Sequence, residues 1–169
     1  TWMDRVRAAL GTHNMAYEMD KLGGMHHKID AAFARSRELT LACLAEAKFD
    51  AAKADTETAF DCLTDIHQST KMAVVNIFLA AESVFKLVLG KGTSLTSGAV
   101  GRDFRPLVQT KISGCDQAAT QSFNALVSSF ADWVDACHPY RHGQKDPNVV
   151  EPPLDLAIVL VTQGADLIR

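Results

Sequence analysis

Residues 132–144, Asp-Trp-Val-Asp-Ala-Cys-His-Pro-Tyr-Arg-His-Gly-Gln, gather two carboxylates, a thiol, two imidazoles, a phenol and a guanidinium into thirteen positions. Arginine offers a planar fork of donors for a phosphate, and histidine exchanges a proton near neutral pH. Cleaving RNA without a metal needs little more. A base takes the 2′-hydroxyl proton, a cation stabilises the pentavalent phosphorane, and an acid protonates the leaving oxygen. His142, Arg141 and His138 are the candidates for those roles, with Tyr140, Gln144 and Lys145 as candidate substrate contacts. The structural alternative is a helix end where cations meet the negative pole and His rings satisfy the last carbonyls.

Other chemistries find less support. His138 and His142 have the i, i+4 spacing of a metal pair, but Pro139 lies between them. The residue before a proline is biased away from α geometry. No third ligand stands at motif spacing, so no metal and no cofactor are expected. No nucleophile elbow or glycine-rich phosphate loop is present. Cys137 lies on an apolar stripe, so it reads as core rather than as a thiol partner of His138. The acidic pairs Asp61/Asp65 and Asp132/Asp135 read as solvated helix faces. Glu82 and Lys86 stand at i, i+4 in favourable order within the most apolar segment, and exposure at one edge of a bundle is the expectation.

Composition bounds the reading. The chain has 169 residues, 47% hydrophobic and 22% charged, which places it among folded single domains rather than disordered chains. Its net charge of −3 leaves nucleic-acid binding to a local patch. No apolar run is read as reaching the ~18 residues of a membrane span. Cys43, Cys62, Cys115 and Cys137 form no C-x-x-C pair, which suits reduced, buried thiols in a cytoplasmic protein. With Thr1 at the start and an apolar helical pattern at the end, the chain is expected to be one domain of a longer polypeptide.

The elements that must position the candidate residues are helices. All five prolines fall at 106 or later, and strand-like alternation is nearly absent. A short helix is expected over 2–10 and a second short element over 15–22. Residues 29–67 form one long helix or two, divided at the polar stretch 50–59. The segment 72–90 is apolar almost all round and belongs at the centre of a bundle, with Gly90 as its C-cap. A short helix follows over 103–111. Asp116 then caps a helix whose apolar residues Ala119, Phe123, Leu126, Val127, Phe130, Trp133, Val134 and Cys137 step by three and four, up to Pro139. Pro152-Pro153 opens the last helix, through Ile168. The expected fold is an all-α bundle of about five to seven helices, in which the last helix draws the segment after Pro139 onto the bundle, with Arg141 or His142 near Glu82 or another carboxylate.

Two stretches together resemble a known superfamily. "FLAAESVFKLVLGKG" (78–92) is similar to the HEPN helix in which an acidic residue and a lysine lead into a glycine loop. "DWVDACHPYRHGQ" with "PPLDLAIVLVTQGADLIR" resembles the C-terminal helices of abortive-infection-type HEPN domains; the resemblance covers about residues 70–169. It implies an all-α, usually dimeric bundle. In active members it implies a metal-independent endoribonuclease working in defence or stress response. The superfamily's motif sets an arginine several residues before the histidine. If His142 is that histidine, the arginine falls at 135–137, where this chain has Asp135, Ala136 and Cys137; Arg141 adjoins the histidine instead. Non-catalytic members bind nucleic acids or partners. A homodimer, RNA and a fused domain or partner protein are therefore the implied partners, and the alternative to a ribonuclease is a helical oligomerisation or partner-binding domain.

Overall fold

The computed structural model describes residues 1–13, 15, 17–141 and 150–169. Among these, helices dominate: α1 (Trp2–Thr12), α2 (Ala31–Cys43), α3 (Asp50–Thr64), α4 (Thr70–Leu89), the single turn α5 (Ser97–Ala99), α6 (Arg105–Lys111), α7 (Gln117–Arg141) and α8 (Leu154–Ile168). A 3₁₀ turn leads into α3, and a π-helical stretch, Val100–Phe104, joins α5 to α6. The protein is the expected all-α bundle.

One element departs from it. Between α1 and α2 runs a two-stranded antiparallel hairpin, β1 (Tyr17–Met19) and β2 (Met25–His27), pairing Tyr17 with His27 and Met19 with Met25. Strands of three residues are too short to show alternation, so the sequence offered only a short element there. The turn is closed by Asp20, whose carboxylate accepts the Leu22 and Gly24 N–H groups and meets the His26 ring, each at 2.8 Å. The His26 contact and those N–H bonds hold the Asp20 carboxyl down at about 2. Arg7 ties the hairpin to α1 by donating to the carbonyls of Met19 and Asp20.

The ambiguous stretch 29–67 is two helices, but the break falls at 44–49 rather than in the polar run 50–59. That run is α3. Its buried residues Ala52, Thr56, Ala59, Phe60 and Leu63 recur at helical spacing and are mostly small, so α3 lies close against α4. The buried Thr56 hydroxyl donates to the Ala52 carbonyl at 2.7 Å, which removes its desolvation cost.

α4 is the central helix. It buries Ala73, Val74, Asn76, Ile77, Phe78, Ala80, Ala81 and Phe85 and packs on α3, α7 and α8. Contrary to the expectation that no run reaches membrane length, α4 is long and apolar enough to cross a membrane by length and composition. Within this fold its apolar faces are the packing surface of the bundle. It stops at Gly90, whose φ of 63° is the left-handed conformation a glycine adopts without strain.

α7 is capped as expected, the Ala119 N–H donating to the Asp116 carboxylate at 2.7 Å. It does not stop at Pro139 but continues to Arg141. Proline removes the N–H that would bond the Asp135 carbonyl. Here Asp135, His138 and Pro139 are all exposed, so that carbonyl can turn to water instead. The α7 stripe is also buried along only half its length. Val127, Phe130, Trp133, Val134 and Cys137 are core, whereas Phe123 is 40% and Leu126 62% accessible.

α8 lies across α4 and α7 at a close approach. A Cβ on Gly164 would stand 2.6 Å from Trp133 Cζ2 and 2.7 Å from Ile77 Cγ1. Both neighbours are fully buried and cannot swing aside. Gly164→Ala should therefore destabilise by about 1–2 kcal/mol, overpacking outweighing the roughly 1 kcal/mol of helix propensity gained. Urea unfolding followed by Trp133 fluorescence measures it, and an alanine variant more stable than wild type would refute the close approach.

Candidate functional site

The end of α7 is built on an aromatic stack. Phe78 of α4 and Trp133 of α7 lie nearly parallel, 10° apart with centroids at 5.8 Å, and Trp133 Nε1 donates to the Leu160 carbonyl of α8 at 2.9 Å. Two turns past Trp133, Arg141 folds back so that its guanidinium carbon sits 3.2 Å from the Phe78 ring centroid. A planar, weakly hydrated cation over an aromatic face is an attractive arrangement. Arg141 is thus half-buried at one end of a three-member stack.

A second layer of charge surrounds it. Glu82, one turn after Phe78, accepts from Lys86 Nζ and from the Leu95 N–H, each at 2.9 Å. Exposure of this pair holds for Lys86, 38% accessible, but not for Glu82, only 15% accessible. The carboxylate has a structural task, since its bond to Leu95 pins the 91–96 connection to the bundle and seats the buried Leu95 side chain. Burial alone would raise the Glu82 carboxyl. The Lys86 and Leu95 hydrogen bonds and the charges of Lys86 and Arg141 together hold it below the usual glutamate value. Burial lowers the Arg141 guanidinium, and Glu82 opposes that shift. Arg141 and Glu82 therefore feel each other, as the sequence led us to expect, without forming a direct ion pair.

The remaining candidates divide. His138 is exposed and, because α7 runs on through Pro139, it is helical rather than extended; Arg141 follows three residues on, along the same side of the last turn. Tyr140 is half-buried and packs, like Leu154 of α8, against the core. His142, Gln144 and Lys145 lie outside the described residues. Cys137 is fully buried, and burial pushes its thiol up to about 12, so it is a core side chain and no thiolate nucleophile. Of the other cysteines, Cys43 and Cys115 are exposed and Cys62 half-buried, so buried thiols describe only Cys137 fully. Among the described residues no three His, Cys, Asp or Glu side chains gather as a metal site. Asp132 and Asp135 are on the exposed face, as read from the sequence. Phe78 is the site residue that sequence reasoning did not single out. It was legible as core, but nothing in the spacing links position 78 to position 141.

Comparison with family models, with curated proteins and with solved structures finds no match.

The pH dependence of the Glu82 contacts has a definite sign. A carboxyl held below its unfolded value stabilises fully above the ordinary glutamate range and loses that contribution as pH falls through the depressed value. Glu82→Gln should cost about 1–2 kcal/mol near neutral pH, the scale of hydrogen bonds to a charged group. The gap between variant and wild type should then close below about pH 4. Paired urea titrations at neutral and acidic pH measure this, and a gap that widens in acid would contradict the assignment.

Proposed function

We propose that this chain is a HEPN-like helical domain that contacts RNA through the end of α7 and does so by binding rather than by cleaving. The observation that carries the reading is the unbroken course of α7 through Pro139. It sets His138 and Arg141 on one side of a single turn, with Arg141 held by Phe78 and Lys86 nearby at the Glu82 carboxylate. A guanidinium fixed at one edge is preorganised for a phosphate oxygen, and an exposed imidazole three residues away supplies a second donor. Catalysis lacks its partner. Where the resemblance calls for an arginine, at 135–137, stand an exposed Asp135, an exposed Ala136 and a buried Cys137. In this reading the domain works as a homodimer, two copies doubling the convergent cations, inside a larger cytoplasmic defence protein.

A second reading has its own observation in favour. Arg141 stacks on the core at a helix C-terminus, where the dipole favours a cation, so the whole cluster can be a structural cap. The readings differ in what Arg141→Gln does. As a cap, its loss costs about 1–2 kcal/mol of cation–π energy, lowering the melting temperature by roughly 2–8 °C, with nothing else to lose. As a phosphate contact, its loss also weakens binding of a labelled single-stranded RNA and makes the salt dependence shallower by about 0.7 in the log–log slope. Fluorescence anisotropy across salt concentrations separates the two, and no binding even at low salt would leave only the cap. The RNA should remain intact in magnesium and in EDTA. Cleavage that survives EDTA and disappears in His142→Ala would replace binding with the metal-independent ribonuclease.

A further inference from the structure

The hairpin between α1 and α2 carries a titratable contact that the α7 site does not use. Asp20 Oδ1 accepts the Leu22 and Gly24 N–H groups while Oδ2 meets His26 Nε2, each at 2.8 Å. With its carboxyl held down at about 2, Asp20 is ionised from mild acid upward and can only accept. Nε2 therefore carries a proton whether the ring is neutral or charged. The turn is shaped around this pair. A Cβ on Gly24 would stand 2.6 Å from Asp20 Oδ2 and 3.2 Å from His26 Nε2.

The surrounding charges set the sign of the contact. Glu18 lies directly opposite His26 across the strands, so two carboxylates, those of Glu18 and Asp20, neighbour the imidazole. Lys28, two residues beyond His26, lines the same space of about 400 Å³ and opposes them. α2 and α3 bring Asp30, Arg37 and Asp61 to that space. Arg37 and Asp61 pair with each other, and Asp30 caps α2 through the Phe33 N–H. From α1 comes Arg7, which pairs with Asp4 and donates to the Met19 and Asp20 carbonyls. A charged ring thus meets two carboxylates against one ammonium, and protonation strengthens the contact. The turn also holds more than itself. α1 buries no residue and packs against β1, and its Arg7 bonds end on the hairpin's own carbonyls.

We propose that Asp20 and His26 form a proton-operated latch on the α1–hairpin unit. With the ring charged the turn stays closed and α1 is held; with the ring neutral the turn opens more often and α1 loosens with it. The device uses none of the α7 residues and does not depend on the RNA reading.

The Gly24 amide donates to Asp20 and the Asp20 amide donates to the Gly24 carbonyl, so their exchange with water reads the opening directly. NMR magnetisation transfer on the full chain at pH 5.5 and pH 8, corrected for intrinsic rates, measures it. That interval carries an ordinary imidazole from charged to neutral. Protection of both amides should be about two- to fivefold greater in acid, the range of a half-exposed ion pair. Helical amides of α1 should follow, and those of α4 should not. His26→Gln keeps a donor that cannot titrate and should give equal protection at both pH values. Glu18→Gln should shrink the wild-type response and Lys28→Gln enlarge it, which keeps the test decisive if His26→Gln fails to form the hairpin. Protection that is flat or greater at pH 8, or a response that persists in His26→Gln, would overturn the latch. So would indifference to both Glu18→Gln and Lys28→Gln, α1 amides that do not follow, or an equal response in α4.

Discussion

The contact of Phe78 with Trp133 is the point through which the three main helices are locked. Each member is held from a different direction. Phe78 comes from α4, Trp133 from α7, and the indole N–H is satisfied by the α8 carbonyl of Leu160. A buried indole left without that acceptor would carry an unpaired donor in the core. Gly164 lets α8 approach near enough to provide it, since any side chain there meets the indole ring. Arg141 closes the same stack from outside, so the orientation of the most chemically suggestive residue is set by the core beneath it. The candidate site at this end of the molecule and the core at its centre share the same atoms, and a change in Phe78 would be felt in both.

The sequence was most legible where a single helix faces a single environment. α4 announced itself by being apolar nearly all round, α8 by its proline start, and α7 by the stepping of its apolar residues and the cap at Asp116. Legibility failed where tertiary neighbours decide. The hairpin rests on Asp20 contacts that bridge its turn and on Arg7 reaching from α1, none of which has a spacing signature. The polar run 50–59 looked like a break, yet its small residues are what a helix needs to lie close to α4. Glu82 looked solvated because a carboxylate in an apolar helix usually is. Its partner, the Leu95 N–H, comes from a loop thirteen residues away.

Pro139 shows how local rules yield to exposure. A proline inside a helix costs about 3 kcal/mol when the freed carbonyl is trapped and the neighbouring turns are held by packing. Two residues from the end of α7, on its exposed side, the freed group meets solvent and only one turn lies beyond. The helix therefore continues, and the consequence is chemical. A break at Pro139 would send His138 and Arg141 in unrelated directions, whereas continuity sets them along one side.

Toward its first residues α7 is less completely covered than at its end. With 25 residues α7 is about 37 Å long, while the 15 residues of α8 span only about 22 Å. The two run antiparallel, Leu160 opposite Trp133 and Gln163 opposite Ser129. Phe123 and Leu126 lie beside the seven residues of α6 and the last residues of α8. Retaining phenylalanine and leucine there leaves apolar surface in water, at about 25 cal/mol for every Å² left uncovered. The stripe therefore changes character along one helix: Val127, Phe130, Trp133, Val134 and Cys137 are buried, while Phe123 and Leu126 keep part of their surface in water.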